Sequence, residues 1–332
     1  MSNANLHAAN RAKNDEFYTE LSEIEKELKN YSDKFKGKVV FCNCDDPFES
    51  NFVKYFLMHF NGLGLKTLYT TGYLISPIVD KEYRVGIENI PYSLCVTSTK
   101  EYLKGDQIDL DFNGAKEFVE KEGDRIRTKL LGDEKHVAGD FRSEESIEIL
   151  KKSDIIVTNP PFSLFREYIA QLMEYKKKFL IIGNKNALTY KEIFPYIKNN
   201  EIWWGCTNPD LFRDEVGNLT NKVKGLSRWY TNLDHKKRHI MIPLDLGHKY
   251  YGYENQYANY DNYNAINIDK ITNIPYDFEG IMGVPISFMD KYCPEQFEII
   301  KFRKGDDDKD LRINGKCPYF RILVKKRLEV EG

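Results

Sequence analysis

Residues 178–183 contain an unbroken apolar run, Phe179, Leu180, Ile181 and Ile182, closed by Gly183. Such a run reads as a strand buried on both faces, as in a parallel sheet clad by helices. Residues 38–44, 67–70, 135–141, 155–158 and 202–205 are further short strand-like segments. Segments with apolar residues at helical spacing flank and separate them: 20–31, 50–60, 143–151, 165–175 and 190–197. In 50–60, Phe52, Val53, Phe56, Leu57 and Phe60 share one face. Strands alternating with helices over 38–205 predict a doubly wound α/β sheet.

The flanking regions differ. Residues 1–13 are small and polar and read as a mobile arm. Residues 73–134 hold a β-like piece at 93–97 and a helical piece at 115–131, an insertion or an extension of the sheet. From residue 206 helical periodicity fades and Asn, Asp, Gly and Tyr become frequent. The expected division is therefore 1–205 for the α/β domain and 206–332 for remaining strands and a second functional region. The chain has 332 residues, 41% hydrophobic and 30% charged, and no apolar run near the about 20 residues of a membrane span. The start of the sequence shows no apolar signal segment. Its six cysteines lack metal-ligand spacing, so they read as reduced thiols in a cytoplasmic protein with no metal centre.

The segment 155–158 runs into Asn159-Pro160-Pro161-Phe162. The two prolines fix two φ angles and remove two N–H donors, so the strand must stop there. The result is a rigid corner at the carboxyl end of a strand, where open α/β sheets bind ligands. The Asn159 side-chain oxygen and the Pro160 carbonyl are two acceptors suited to one planar NH₂ group. Phe162 adds an aromatic face. An exocyclic amine of a nucleobase fits: both protons are accepted, the nitrogen moves toward sp³ geometry, and its lone pair becomes available. As an isolated tetrapeptide the same residues also read as an ordinary turn.

The segment 38–44 ends in Asn43-Cys44-Asp45-Asp46-Pro47, and a helix follows. This turn is acidic and lacks the glycines that bring a backbone close to phosphates. It suits a cofactor bearing positive charge and an amino group, and S-adenosylmethionine has both. Phe17 and Tyr18 read either as a hydrophobic staple on the helix after them or as the lining of a small-molecule pocket. Net charge is only −2, but residues 221–250 carry seven Lys/Arg against two acids, a local charge of +5. Lys222, Lys224, Arg228, Lys236, Lys237 and Arg238 belong to it, and further basic clusters lie at 301–304 and 321–327. Interleaved Tyr and Asn favour a phosphate-contacting face over mere solvated surface.

These motifs, in this order, resemble those of the γ arrangement of adenine-N6 DNA methyltransferases, and most closely the EcoRI-type family. The likeness spans most of the chain, including Thr231-Asn232-Leu233-Asp234, Met282-Gly283-Val284-Pro285-Ile286 and Asn314-Gly315-Lys316-Cys317-Pro318-Tyr319-Phe320-Arg321. It implies a Rossmann-like S-adenosylmethionine-dependent methyltransferase sheet with a C-terminal target-recognition region. It implies catalysis at Asn159, Pro160, Pro161 and Phe162. Asp15, Phe17, Tyr18 and Thr19 would close on the methionine end of the cofactor. Asn43, Cys44, Asp45 and Asp46 would form its loop, with Asp140 and Phe141 at the adenine and Asn159 beside the reacting methyl. The implied partner is double-stranded DNA with a flipped adenine, GAATTC at its inner adenine being the first candidate. A cognate restriction endonuclease would act on the same site without direct contact. The residues alone leave cytosine N4, an RNA base, a protein glutamine or a catalytically inactive DNA-binding relative open. The strand ending at Thr70-Thr71 lacks the acidic residue that commonly holds the cofactor ribose.

Overall fold

The computed structural model describes residues 18–46, 50–72, 91–214, 218–220, 222–244 and 247–327. Asp15, Phe17 and Pro47 lie outside the described residues. The chain forms two compact units, one of residues 1–187 and 205–233, the other of 188–204 and 234–332. The compositional change comes at 205/206, while residues 205–233 group with the first unit and 188–204 with the second.

The first unit contains strands β1 (Tyr18–Thr19), β2 (Val39–Asn43), β3 (Thr67–Thr71), β4 (Tyr92–Val96), β5 (Arg127–Lys129), β6 (Ile155–Thr158), β7 (Lys178–Asn184), β8 (Phe212–Arg213), β9 (Leu219–Thr220) and β10 (Ser227–Thr231). Its helices are α1 (Leu21–Leu28), α2 (Asn51–Met58), α3 (Phe112–Ile126), α4 (Glu144–Lys152) and α5 (Phe165–Glu174). Within this unit the strands of the main sheet run in the order β5-β4-β3-β2-β6-β7-β10. The central strands β3, β2, β6 and β7 are parallel, whereas β4, β5 and β10 join antiparallel. The expected doubly wound sheet is present, with antiparallel edges. The described part of 73–134 extends the sheet through β4 and β5.

The apolar run of β7 behaves as its pattern requires: Phe179, Leu180, Ile181 and Ile182 are each fully buried. Each such side chain contributes about 1.5–3 kcal/mol over an exposed one. On one face of the sheet Val40, Cys42, Ile155, Val157, Leu180 and Ile182 pack with Ile24 and Leu28 of α1, Phe52 and Phe56 of α2, and Phe118 of α3. Helices α4 and α5 contact β2 and β7. Helix α2 starts where Ser50 accepts from the Phe52 and Val53 amides, and α4 where Ser143 accepts from Ser146.

One expected strand is absent. Residues 135–141 form turns, held by Asp140 N donating to Val137 O (3.1 Å) and Ser143 N donating to Asp140 O (3.0 Å). Gly139 sits at φ 77°, a left-handed conformation that ends extension. The position next to β3 is taken instead by β4.

The second unit contains the strand Trp203–Trp204, helix α6 (Phe194–Lys198) and strands β11 (Asn259–Tyr260), β12 (Tyr263–Asn267), β13 (Ile281–Pro285), β14 (Phe297–Phe302) and β15 (Arg321–Lys326). The last five pair in the order β11-β12-β13-β15-β14 around Tyr260, Ala265, Leu311 and Leu323. Its only described α-helix is the short α6, which matches the loss of helical periodicity.

Candidate active site

Strand β2 is where the sheet changes direction: the chain steps from β2 to β3 on one side and later to β6 on the other. Ligands of open α/β sheets bind at the carboxyl ends of strands flanking such a switch. Here those ends are Asn43 and Thr158-Asn159. The parallel register of Val40 with Ile155 and Phe41 with Ile156 brings them side by side. Thr158 Oγ1 lies within hydrogen-bond reach of both the Asn43 carbonyl and Asp45 Oδ2. The proline corner and the acidic turn, distant in sequence, therefore meet through one buried hydroxyl.

The acidic turn is held tightly. Cys44 takes a left-handed φ of 67° and swings the chain off the strand. Asp45 N then donates to Thr71 O (3.1 Å), and Ser50 Oγ donates to Asp45 Oδ1 (2.7 Å). Asp45 and Asp46 are 8% and 9% exposed. Burial pushes the Asp45 carboxyl up to about 7, while hydrogen bonds from Thr158 and Ser50 pull it down and the charge of Asp46 raises it further. Thr158 has one proton for two acceptors, so a protonated Asp45 donating back satisfies the trio.

Asn43 is gripped from α5, where the buried Tyr168 hydroxyl donates to Asn43 Oδ1. Its Nδ2 is buried with no hydrogen-bond partner. Thr71 Oγ1 is in the same condition, and Thr71 pairs with Asn43 across β3 and β2, so both side chains stand on one face. Thr19 Oγ1 in β1 is a third such atom. Buried polar atoms left unpaired cost stability unless a ligand satisfies them. An amide donor, hydroxyls and two carboxylates, with no phosphate cradle, fit the hydroxyls, carboxylate and cationic groups of S-adenosylmethionine.

At the corner, Pro160 is buried, Asn159 Oδ1 is buried, and Phe162 is half-buried, with one side against the core. Pro161 leads into a helical turn closed by Leu164 N donating to Pro161 O (3.0 Å). Asp140 is 5% exposed and fixed by Arg142: Oδ1 accepts from the Arg142 amide (2.9 Å) and Nε (3.0 Å), and Oδ2 from Nη2 (2.8 Å). Arg142 also donates to Glu167 of α5 (2.8 Å). Phe141 stacks edge-on against Tyr168, ring centroids 4.9 Å apart. Asn43, Asp45, Asp140, Phe141 and Asn159 are thus linked through Thr158, Tyr168, Arg142 and α5. Half-buried Tyr18 and buried Thr19 form β1, whose Thr19 carbonyl accepts from Asn51 Nδ2 at the start of α2 (2.8 Å).

Sequence reasoning assigned no role to Thr158, Tyr168, Arg142, Ser50 or Thr71. Tyr168 shares the inner face of α5 with Phe165 and Leu172 and reads as core. Only Thr71 left a trace, as the residue standing where an acidic one is usual.

The basic residues separate. Lys222, Lys224, Lys236 and Lys237 are exposed. Arg228 is a sheet residue, 7% exposed, whose guanidinium donates to the Ser227 carbonyl (2.8 Å), so a phosphate contact there would require it to leave the sheet. Arg238 lies 3.5 Å over the Trp203 ring and bonds Asp234 and Asn200. Buried His235 bonds the Trp204 carbonyl (3.0 Å). In the other clusters Arg303 and Lys304 pair with Asp310, and Arg321 bonds Asn267 and Asp269. Much of the clustered charge therefore stitches loops together. No described helix is long and apolar enough to cross a membrane.

The family model for adenine-specific methyltransferase EcoRI matches residues 5–327. The type II methyltransferase M.EcoRI of Escherichia coli is 48% identical, over 98% of this chain and 97% of its own. M.MpnI of Mycoplasma pneumoniae is 35% identical, over 98% and 99% of the two chains. M.MgeORF184P of Mycoplasma genitalium is 34% identical, over 97% and 98%. No solved structure matches the chain significantly.

Proposed function

The chain belongs to the EcoRI-type adenine-specific methyltransferases and is a DNA methyltransferase of the type II restriction–modification kind, and we propose how its residues divide that work. The cofactor is S-adenosylmethionine, which supplies an electrophilic methyl on a sulfonium. Asn43 Nδ2, Asp45, Asp46, Thr71 and Thr19 hold its polar groups, and Asp140 takes the adenine amine with the acceptor capacity Arg142 leaves on Oδ2. Thr71 stands in for the acidic residue that the second strand lacks.

A paired adenine hides its N6 inside the duplex, so the base is flipped into the corner. Phe162 stacks on it. Asn159 Oδ1 and the Pro160 carbonyl accept the two N6 protons and would turn the lone pair toward the methyl that the cofactor supplies. When bound, the cofactor would supply the methyl that N6 accepts, and the surplus N6 proton would leave to solvent. Positioning and electrostatics carry the step. The observation that carries this reading is the Thr158 bridge, which sets the corner and the acidic turn at one pair of strand ends.

Similarity to M.EcoRI makes GAATTC, methylated at its inner adenine, the first duplex to try. A cognate endonuclease cutting the same unmodified site, without touching this chain, completes the proposal. The test is transfer of labelled methyl from S-adenosylmethionine to a pool of unmethylated duplexes, followed by nucleoside analysis. Label as N6-methyladenine confined to GAATTC duplexes is expected; label spread over other sequences would overturn the site, and no transfer would overturn the whole assignment.

A further inference from the structure

The face of the chain entering α1 carries three carboxylates, Glu20, Glu23 and Glu27, and each contacts one distant segment, Glu23 with one oxygen while the other accepts from Lys26 (2.6 Å). Glu27 is fully buried, and the groups that hold its carboxylate are amides and hydroxyls. Its Oε1 accepts from the Cys206 amide (2.7 Å) and the Tyr31 hydroxyl (2.9 Å). Its Oε2 accepts from the Thr207 amide and hydroxyl (both 2.6 Å). Gly205 permits the approach, since a Cβ there would stand 2.2 Å from Glu27 Oε1 and 2.7 Å from Trp229 Cβ. Glu23 Oε2 accepts from the Asp210 amide (3.0 Å). The Glu20 amide donates to Leu211 O (3.1 Å), and its carboxylate pairs with Arg213.

That segment also belongs to a small sheet. Its strand β8 pairs antiparallel with β1, Tyr18 opposite Arg213 and Thr19 opposite Phe212. Strand β9 pairs on the other side of β8, and the exposed Lys222 and Lys224 follow it. Asp210 Oδ1 then accepts from Gly225 N (2.9 Å), closing the excursion on itself. One hydrogen-bonded body thus joins the residue proposed to meet the cofactor, Thr19, to the lysines proposed to meet phosphates.

Burying a carboxylate is costly, and an apolar side chain would fill the same space at less expense. What the carboxylate adds is a fixed position for two consecutive backbone amides. We propose that Glu27 is a positioning residue that makes the 206–225 excursion and β1 move as one, so that DNA engagement and cofactor binding strengthen each other. The inference rests on the placement of cofactor and DNA given above.

The experiment measures the dissociation constant of S-adenosylhomocysteine for the full chain, free and saturated with a GAATTC duplex. The ratio is the coupling factor, and linkage requires the same factor for DNA with and without the cofactor product. The expected wild-type factor is on the order of ten. Glu27→Gln, which turns an NH₂ toward one pair of donors, and Arg213→Ala, at the exposed end of the same contact, should each bring it to within about twofold of one. Both should raise the cofactor KM at saturating DNA and leave kcat nearly unchanged, a split that general loss of stability would not produce. A folded Arg213→Ala chain with the full wild-type factor, or a wild-type factor of one, would overturn the inference. If Lys222→Ala with Lys224→Ala leaves DNA affinity and its salt dependence intact, the DNA placement itself fails and takes the inference with it.

Discussion

The role proposed for Asn159 is one that its neighbours cannot assume, because Pro160 offers only a carbonyl and the corner is rigid. Asn159→Ala should lower kcat by about 10²–10³-fold, the usual cost of one positioned transition-state contact, with cofactor affinity almost unchanged in a binding titration. Full activity in that variant would remove Asn159 from the mechanism. Thr71 gives a sharper test, since its hydroxyl is buried and unpaired. Thr71→Val should leave the free protein as stable as before, yet weaken S-adenosylmethionine by about 1 kcal/mol, roughly fivefold; calorimetric titration and a melting curve on the same sample read both. Asp45 supplies a pH dependence. Its carboxyl stands at about 7 in the fold, above its ordinary value of 3.8. A raised carboxyl stabilises the fold while protonated, and that contribution is lost as pH rises from about 4 through about 7. A cationic ligand favours the charged form, so cofactor affinity should rise with pH toward 7, by at most about tenfold per unit, and level off above. Asp45→Asn should flatten the profile, and an unaltered profile would remove Asp45 as its source. The corner was legible because two prolines leave the strand no alternative. Thr158 and Tyr168 were not, because a hydroxyl inside an apolar strand and a tyrosine on a core face look structural until the register shows what they touch.

At the scale of elements, the strands that could be read were those whose burial pattern had one solution. β2, β6 and β7 show continuous apolar character, and no other local structure accounts for it. Residues 135–141 carry Val137, Ala138 and Phe141 and imitate that pattern, but Gly139 at φ 77° and the turn bonds around Asp140 override it. The basic run at 235–239 shows the same limit for charge. Sequence gives five positive-capable residues in a row; the structure turns His235 and Arg238 inward and leaves Lys236 and Lys237 exposed. Arg238→Ala should therefore act on folding, losing a guanidinium–indole stack worth about 1–2 kcal/mol and lowering the melting temperature. Lys236→Ala should leave the melting temperature within a degree or two and, on the placement proposed, act on DNA binding alone. Equal melting temperatures for the Arg238→Ala and Lys236→Ala variants would show that the Trp203 stack is not structural support.

For the whole molecule, a net charge of −2 means that attraction to DNA cannot come from the protein's average field and must come from placed cations. The exposed lysines proposed for that task lie in both units, Lys222 and Lys224 in the first, Lys236 and Lys237 in the second. The division itself was hidden from composition, because the chain crosses between units at 188, 205 and 234 while the change in residue usage comes once. Salt dependence can apportion the grip on phosphates. For every phosphate that a variant no longer neutralises, the slope of log affinity against log salt should fall by about 0.9. Removing Lys222 and Lys224 together should reduce it by about 1.8, and removing Lys236 and Lys237 together by the same amount, if both units grip the duplex. A change with one pair alone would assign phosphate binding to that unit. A slope indifferent to both pairs would mean that the phosphates are held by other residues and that exposure of these lysines reflects solvation only.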